Sequence, residues 1–192
     1  MIKSNILEKY LNLINNIQSN SNLENLDRFY EQLNSHFESN GRVFLAGNGG
    51  SAAIATHAST DINKLERNNK YINSISLNTN ISEITAYSND DSFDNVFTNI
   101  VKNFEPNSQD TLIAISSSGE SSNMINLINY CNKKDVTTFS INGFDGGEAS
   151  IKAKYSIVFN SKKNYYGPVE DLHMILFHIF AHIVKNDIEE IS

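Results

Sequence analysis

The sequence predicts a three-layer αβα sandwich on a five-stranded parallel sheet, preceded by two helices. Three observations predict it. Short apolar runs occur at 43–46, 72–77, 111–116, 136–141 and 155–159. Helix-length segments separate them, which is the pattern of βαβ units, and right-handed crossovers then give a parallel sheet covered on both faces. At 192 residues and 40% hydrophobic, the chain suits one domain, since a chain this long buries roughly 70% of its unfolded surface.

The elements follow in order. Ile2, Ile6, Tyr10, Leu13 and Ile17 share one helical face, so the chain should open with an amphipathic helix. Leu23, Leu26, Tyr30, Leu33 and Phe37 share another, with Ser21 and Glu24 in the spacing of a capping box. The five strands and their crossover helices come next. A long helix from about 169 to 185 closes the chain. Its longest apolar run, MILFHIFAHIV, is about half of the ~20 residues a membrane span requires, so it reads as a buried helix. The N-terminal segment lacks the apolar core of a signal peptide, and a cytoplasmic protein is expected.

Charge and cysteine content exclude several classes. A net charge of -7 with three scattered arginines, Arg28, Arg42 and Arg67, does not suit a sequence-independent grip on nucleic acid. The single cysteine, Cys131, lies among Leu127, Ile128 and Tyr130 and reads as core.

Two loops stand out. In an open parallel sheet, ligands sit beyond the carboxyl ends of the strands, near the topological switch point. The first loop, Gly47-Asn48-Gly49-Gly50-Ser51-Ala52, nominally matches a dinucleotide fingerprint. The acid that should hold a ribose is missing after the second strand, and no Gly-Lys-Ser/Thr follows for a Walker loop, so no nucleotide cofactor is expected. A plain glycine turn that lets a helix pack closely also fits. The second loop, Ser116-Ser117-Ser118-Gly119-Glu120-Ser121, sets hydroxyls and free amides at a helix N-terminus, which suits a phosphate monoester without any basic residue. Serine clusters also serve as plain caps and turns. Two donor-rich loops at the ends of neighbouring strands favour a small phosphorylated ligand.

Together AGNGGSAA, SLNTNISEITAYSNDDSFDNVF, ISSSGESSN, TTFSINGFDGG and VEDLHMILFHIFAHIVK resemble, in order and spacing, the phosphoheptose isomerases of the sugar-isomerase (SIS) superfamily. The resemblance covers nearly the whole chain, 1–192, as one SIS domain of flavodoxin-like strand order, and assigns residues 1–40 to oligomer contacts. It implies a homotetramer with active sites at subunit interfaces, converting sedoheptulose 7-phosphate to D-glycero-D-manno-heptose 7-phosphate. Ser51, Ser116, Ser118 and Ser121 fall at the family's phosphate-contacting serines, with Ser117 at a threonine position. Asn48 and Asp90, beside Asn89, fall at substrate-side polar positions, and Gly49 and Gly50 belong to the shared glycine loop.

The resemblance also exposes two departures. The family's catalytic base is a glutamate four residues after the histidine of the first crossover helix; counting from His57 gives Asp61. Its last helix carries a glutamine and, eight residues on, a catalytic histidine; here these are Glu170 and His178. Isomerisation through an enediol needs a base to take a proton beside the carbonyl and a partner to move protons on the oxygens. Asp61 is expected as the base and His178 as the partner, approaching from a neighbouring subunit. Aspartate is one methylene shorter than glutamate, about 1.5 Å, which opens the alternative of a different sugar phosphate.

His57 and Asp61 lie i, i+4 on one helix face, and the resemblance implies a candidate zinc site, since some family members hold zinc with positions corresponding to His57, Asp61, Glu170 and His178. Two imidazoles and two carboxylates are a plausible zinc set, although an ionic cluster without metal fits the same spacing. His173 and His182 are expected in buried or subunit contacts, and His36 on the surface. A second class of answer is a non-catalytic SIS adaptor that binds a protein partner; that branch lacks the histidine at position 178.

Overall fold

The computed structural model describes residues 5–21 and 23–186. Helix α1, Ile6–Ser19, buries Ile17 and packs Leu13 and Ile14 against the core; Ile2, expected on the same face, lies outside the described residues. The expected capping box does not form. The Ser21 hydroxyl donates to the Ile17 carbonyl, which closes α1, and accepts from the Asn160 amide. Helix α2, Leu26–Ser35, starts instead after Asn25. It buries Leu33 as expected, and also Phe29, whose ring meets Phe139 and Phe177 edge-on at 5.5 and 5.9 Å.

A 3₁₀ turn follows, and His36 in it is a correction. The expected surface position is 2% exposed, with Nε2 2.8 Å from Thr111 Oγ1. Burial lowers its pKa, against weaker opposing effects of the Gly41 backbone and Asp110.

The alternating part comprises β1 Arg42–Gly47, α3 Gly50–Lys64, β2 Glu66–Arg67, β3 Lys70–Tyr71, β4 Asn73–Ser76, α4 Ile81–Asp90, α5 Val96–Lys102 and β5 Thr111–Ser116. It continues with α6 Ser122–Asn132, β6 Thr137–Phe144, α7 Gly147–Lys152, β7 Tyr155–Asn160 and α8 Tyr166–Lys185. The main sheet runs β4-β1-β5-β6-β7, every pairing parallel. Counted within that sheet, this is the 2-1-3-4-5 order of the flavodoxin type. Strands β2 and β3 form a separate antiparallel hairpin.

Side-chain alternation sends the strands into two cores. Val43, Leu45, Ile113, Ile115, Ile141 and Ile157 meet residues of α1, α2, α3 and α8 on one face. Phe44, Ala46, Leu112 and Ala114 meet α5 and α6 on the other, where Cys131 is fully buried. Burial pushes the Cys131 thiol up to about 12, consistent with a packing residue. Asp110, 1% exposed, pins the start of β1 through the Arg42 amide at 2.8 Å and the guanidinium at 2.7 and 3.1 Å.

Because β1 hands the chain outward to β4 and it returns to β5 on the other side, the switch point lies between β1 and β5. The loops after those two strands are the glycine and serine loops. Among the described residues, no helix is long and apolar enough to cross a membrane.

Candidate active site

The glycine loop is held at both ends. The Gly47 amide donates to Asn78 Oδ1 at 3.1 Å, and Asn78 Nδ2 returns a bond to the Gly47 carbonyl at 2.9 Å. Asn48 and the buried Asn123 of α6 exchange amide bonds of 2.9 and 3.0 Å, which fixes Asn48 across the switch point. Gly49 has φ +54°, in the left-handed region that glycine enters at no steric cost. At Gly50 a Cβ would lie 2.3 Å from Glu170 Oε2, so the α8 carboxylate rests on the bare first turn of α3.

A cavity of about 200 Å³ opens there, lined by Asn48, Ser51, Ser116, Ser117, Ser118, Ser121, Tyr166 and Glu170. Ser117 Oγ is buried without a hydrogen-bond partner, and Ser121, at the head of α6, makes no side-chain capping bond. Ser116 Oγ and Ser118 Oγ accept from the amides of Gly119 and Glu120, which shapes the loop. Among the described residues, no lysine or arginine lines the cavity. The arrangement offers neutral donors and two helix N-termini, a combination that suits a small anion. Glu170 is the exception, and burial, then Asp171, raises its pKa.

Further along α3 and α8 the structure gathers a second group. His57 Nε2 lies 3.0 Å from Asp61 Oδ2, and His178 Nε2 lies 3.4 Å from His57 Nε2. Among the described residues, these three side chains offer ligand atoms within 4.8 Å of one another. Lys64 Nζ approaches the other Asp61 oxygen at 3.9 Å. The group opens on cavities of about 320 Å³, with His182 and Lys185, and 710 Å³, with Thr56, Thr60 and Asn78.

The expected residues therefore sort into three sets. Asn48, Ser51, Ser116, Ser117, Ser118, Ser121 and Glu170 share the first cavity, with Gly49 and Gly50 forming its edge. His57, Asp61 and His178 form the second group, and a single chain brings His178 there without a neighbouring subunit. Glu170 does not join that group: its carboxylate is directed to Gly50, eight residues or ~12 Å along α8 from His178. Asn89 and Asp90 are exposed at the end of α4, bonded to each other at 3.0 Å, and line none of the cavities described here. Sequence reasoning missed Tyr166 and Asn123. Tyr166 stands one turn before Glu170 on the same helix, and Asn123 is the polar residue inside the otherwise apolar face of α6; both signals were present.

A doubly wound sheet with a hydroxyl-lined cavity at its switch point defines the class, an αβα domain of the SIS type, and residues 7–143 match the SIS domain family. The chain belongs to the phosphoheptose isomerase family. It is 34% identical to the phosphoheptose isomerase of Sulfurimonas denitrificans over 148 residues, 77% of this chain and 74% of that protein. It is 32% identical to the phosphoheptose isomerase of Helicobacter pylori over 151 residues, 77% of this chain and 76% of that protein. The structure of phosphoheptose isomerase from Neisseria gonorrhoeae superimposes with a TM-score of 0.81 at 25% identity, covering 94% and 95% of the two chains. That of the Francisella tularensis phosphoheptose isomerase, at 20% identity and a TM-score of 0.82, shares the fold over 97% of this chain and 100% of that one.

Proposed function

We propose that this chain is an aldose–ketose isomerase that interconverts sedoheptulose 7-phosphate and D-glycero-D-manno-heptose 7-phosphate through an enediol. The carrying observation is that α3 and α8 contribute to both places: Ser51, Tyr166 and Glu170 line the serine-rich cavity, and His57, Asp61 and His178 form the second group. Ser51 and His57 are six residues apart, about 9 Å along α3. From the carbonyl carbon of an extended heptulose 7-phosphate to its phosphorus is also about 9 Å, at ~1.25 Å of advance per bond. A phosphate held by Ser51, Ser117 and Ser121 would thus bring the reacting carbons to the level of His57, whose imidazole holds Asp61 from one turn further along the helix.

Asp61 takes a proton from C1 of the ketose while His178 delivers one to O2, giving the enediol. His178 then removes the O1 proton and Asp61 returns its proton to C2, which leaves the aldose. The two carboxylate oxygens divide the work: Oδ2 faces His57, and Oδ1, on the Lys64 side, is the one available to carbon. His57 orients Asp61.

The donor set fits a zinc ion. Ligand atoms 2.0–2.1 Å from zinc at tetrahedral angles lie about 3.3–3.4 Å apart, close to the 3.0 and 3.4 Å separations around His57 Nε2. His57, Asp61 and His178 would hold the ion with one position open. When bound, it would polarise the substrate carbonyl and fix its oxygens. We further infer a cytoplasmic homotetramer, in which neighbouring subunits would cover the exposed Ile6, Leu7 and Leu11 of α1 and Ile175 and Ile183 of α8 and complete the site around Asn89 and Asp90.

The test is turnover in deuterated water. Sedoheptulose 7-phosphate incubated with the protein should give the aldose phosphate with deuterium at C2, read by proton NMR. No conversion and no exchange would refute the reading, and conversion of shorter ketose phosphates alone would reassign the substrate.

A further inference from the structure

The first cavity contains one group that does not suit its proposed ligand. Glu170 lines it among serines, and its carboxylate oxygens would lie 2.3 and 2.6 Å from a Cβ at Gly50. That is the first turn of the 15-residue helix α3, where the unpaired amides and the positive end of the dipole gather. Among the described residues no cation lines the same cavity, so nothing there neutralises Glu170. The buried and unpartnered Ser117 Oγ, 5% exposed, independently marks the place as one that a ligand completes.

We propose that Glu170 acts as an affinity brake: its carboxylate lies against the first turn of α3 inside the cavity, and the phosphoryl group of a sugar phosphate must displace it or bind beside it. The inference rests on the phosphate assignment made above. Like charges at such separations repel, and the low-dielectric cavity screens them poorly. The upward pKa shift of the carboxyl by burial and by Asp171 agrees with an acid already short of stabilisation. The phosphate is remote from the reacting carbons, so the repulsion is nearly equal in ground and transition states. A uniform penalty of this kind raises KM and leaves kcat unchanged. The brake keeps a cavity full of donors from retaining product.

Calorimetric titration of the full chain with inorganic phosphate, together with steady-state kinetics on sedoheptulose 7-phosphate, tests this. Glu170→Gln keeps the shape and removes the charge; Glu170→Ala removes both, and Ser117→Ala serves as the control for the cavity. Both Glu170 variants should bind phosphate about tenfold more tightly, a change of ~1.4 kcal/mol, and lower KM by a similar factor at constant kcat, while Ser117→Ala binds more weakly. Phosphate binding that Ser117→Ala weakens but neither Glu170 variant tightens would overturn the brake and keep the phosphate site. Binding absent from every protein, or insensitive to Ser117→Ala, would overturn the phosphate site and the brake with it. If one Glu170 variant fails to fold by its melting curve, the other decides.

Discussion

His178 Nε2 and His57 Nε2 stand 3.4 Å apart, with the two rings edge to face at 80°. Two imidazole nitrogens at that distance share either a proton or a cation. His57 is committed to Asp61 on the same helix, so in the metal-free chain His178 is the member of the group placed to serve substrate oxygens.

His178→Asn should therefore lower kcat by about 10²–10⁴-fold, the usual loss when a positioned acid–base group is removed. The far-ultraviolet spectrum should not change. The measurement is the rate of deuterium exchange into sedoheptulose 7-phosphate; an unaffected rate removes His178 from the mechanism.

The same distance predicts metal affinity. Zinc at a hundredfold its dissociation constant should stabilise the protein by about 2.7 kcal/mol, read as a rise in melting temperature. His57→Ala should lose that rise. Cobalt in place of zinc should give the visible bands of a tetrahedral ion, and their absence would leave His57, Asp61 and His178 as a metal-free network.

Ser117→Ala should change stability and binding in opposite directions. The hydroxyl is buried and unsatisfied in the free chain, so its removal should stabilise the fold by about 1 kcal/mol, or ~2–4 °C in melting temperature. Phosphate affinity should fall, because the same hydroxyl is a donor to the ligand.

His173 predicts an acid limb. It is fully buried beside Phe159, at 5.8 Å between centroids, with neither ring nitrogen hydrogen-bonded. Burial pushes its pKa down to about 4 from an ordinary 6.5; the Asn142 backbone approaches and offsets part of that, short of a formed bond. Between these values the unfolded chain binds the proton and the native state does not. Stability should fall by something on the order of 3 kcal/mol as pH drops from 6.5 to 4. His173→Leu should flatten much of this slope in denaturant titrations at pH 7, 5.5 and 4. His36, lowered in the same direction by burial, should keep some of it.

Much of the fold was legible because its signals are local. The β5 run coincides with the strand Thr111–Ser116, every residue of which is buried, so an unbroken apolar stretch sufficed. The β2–β3 hairpin was legible too, though passed over: Asn68 and Asn69 both have positive φ, 54° and 60°, as a type I′ turn requires. Ser21 shows the opposite case. Its spacing to Glu24 is right for a cap, but the helix starts only after Asn25, four residues on, and the Ser21 oxygen accepts from the distant Asn160 amide instead.

By itself, the sequence determined the parallel sheet, the two donor-rich loops and the residue types available for proton transfer, because strand burial, turn chemistry and helical spacing act over a few neighbouring residues. Only the tertiary structure decided which carboxylate serves which site. Asp61 and Glu170 are both simply carboxylates in the sequence, yet the crossing of α3 and α8 turns one toward His57 and His178 and lays the other on Gly50. That choice depends on where two helices touch across 109 residues of chain, a distance no local pattern spans.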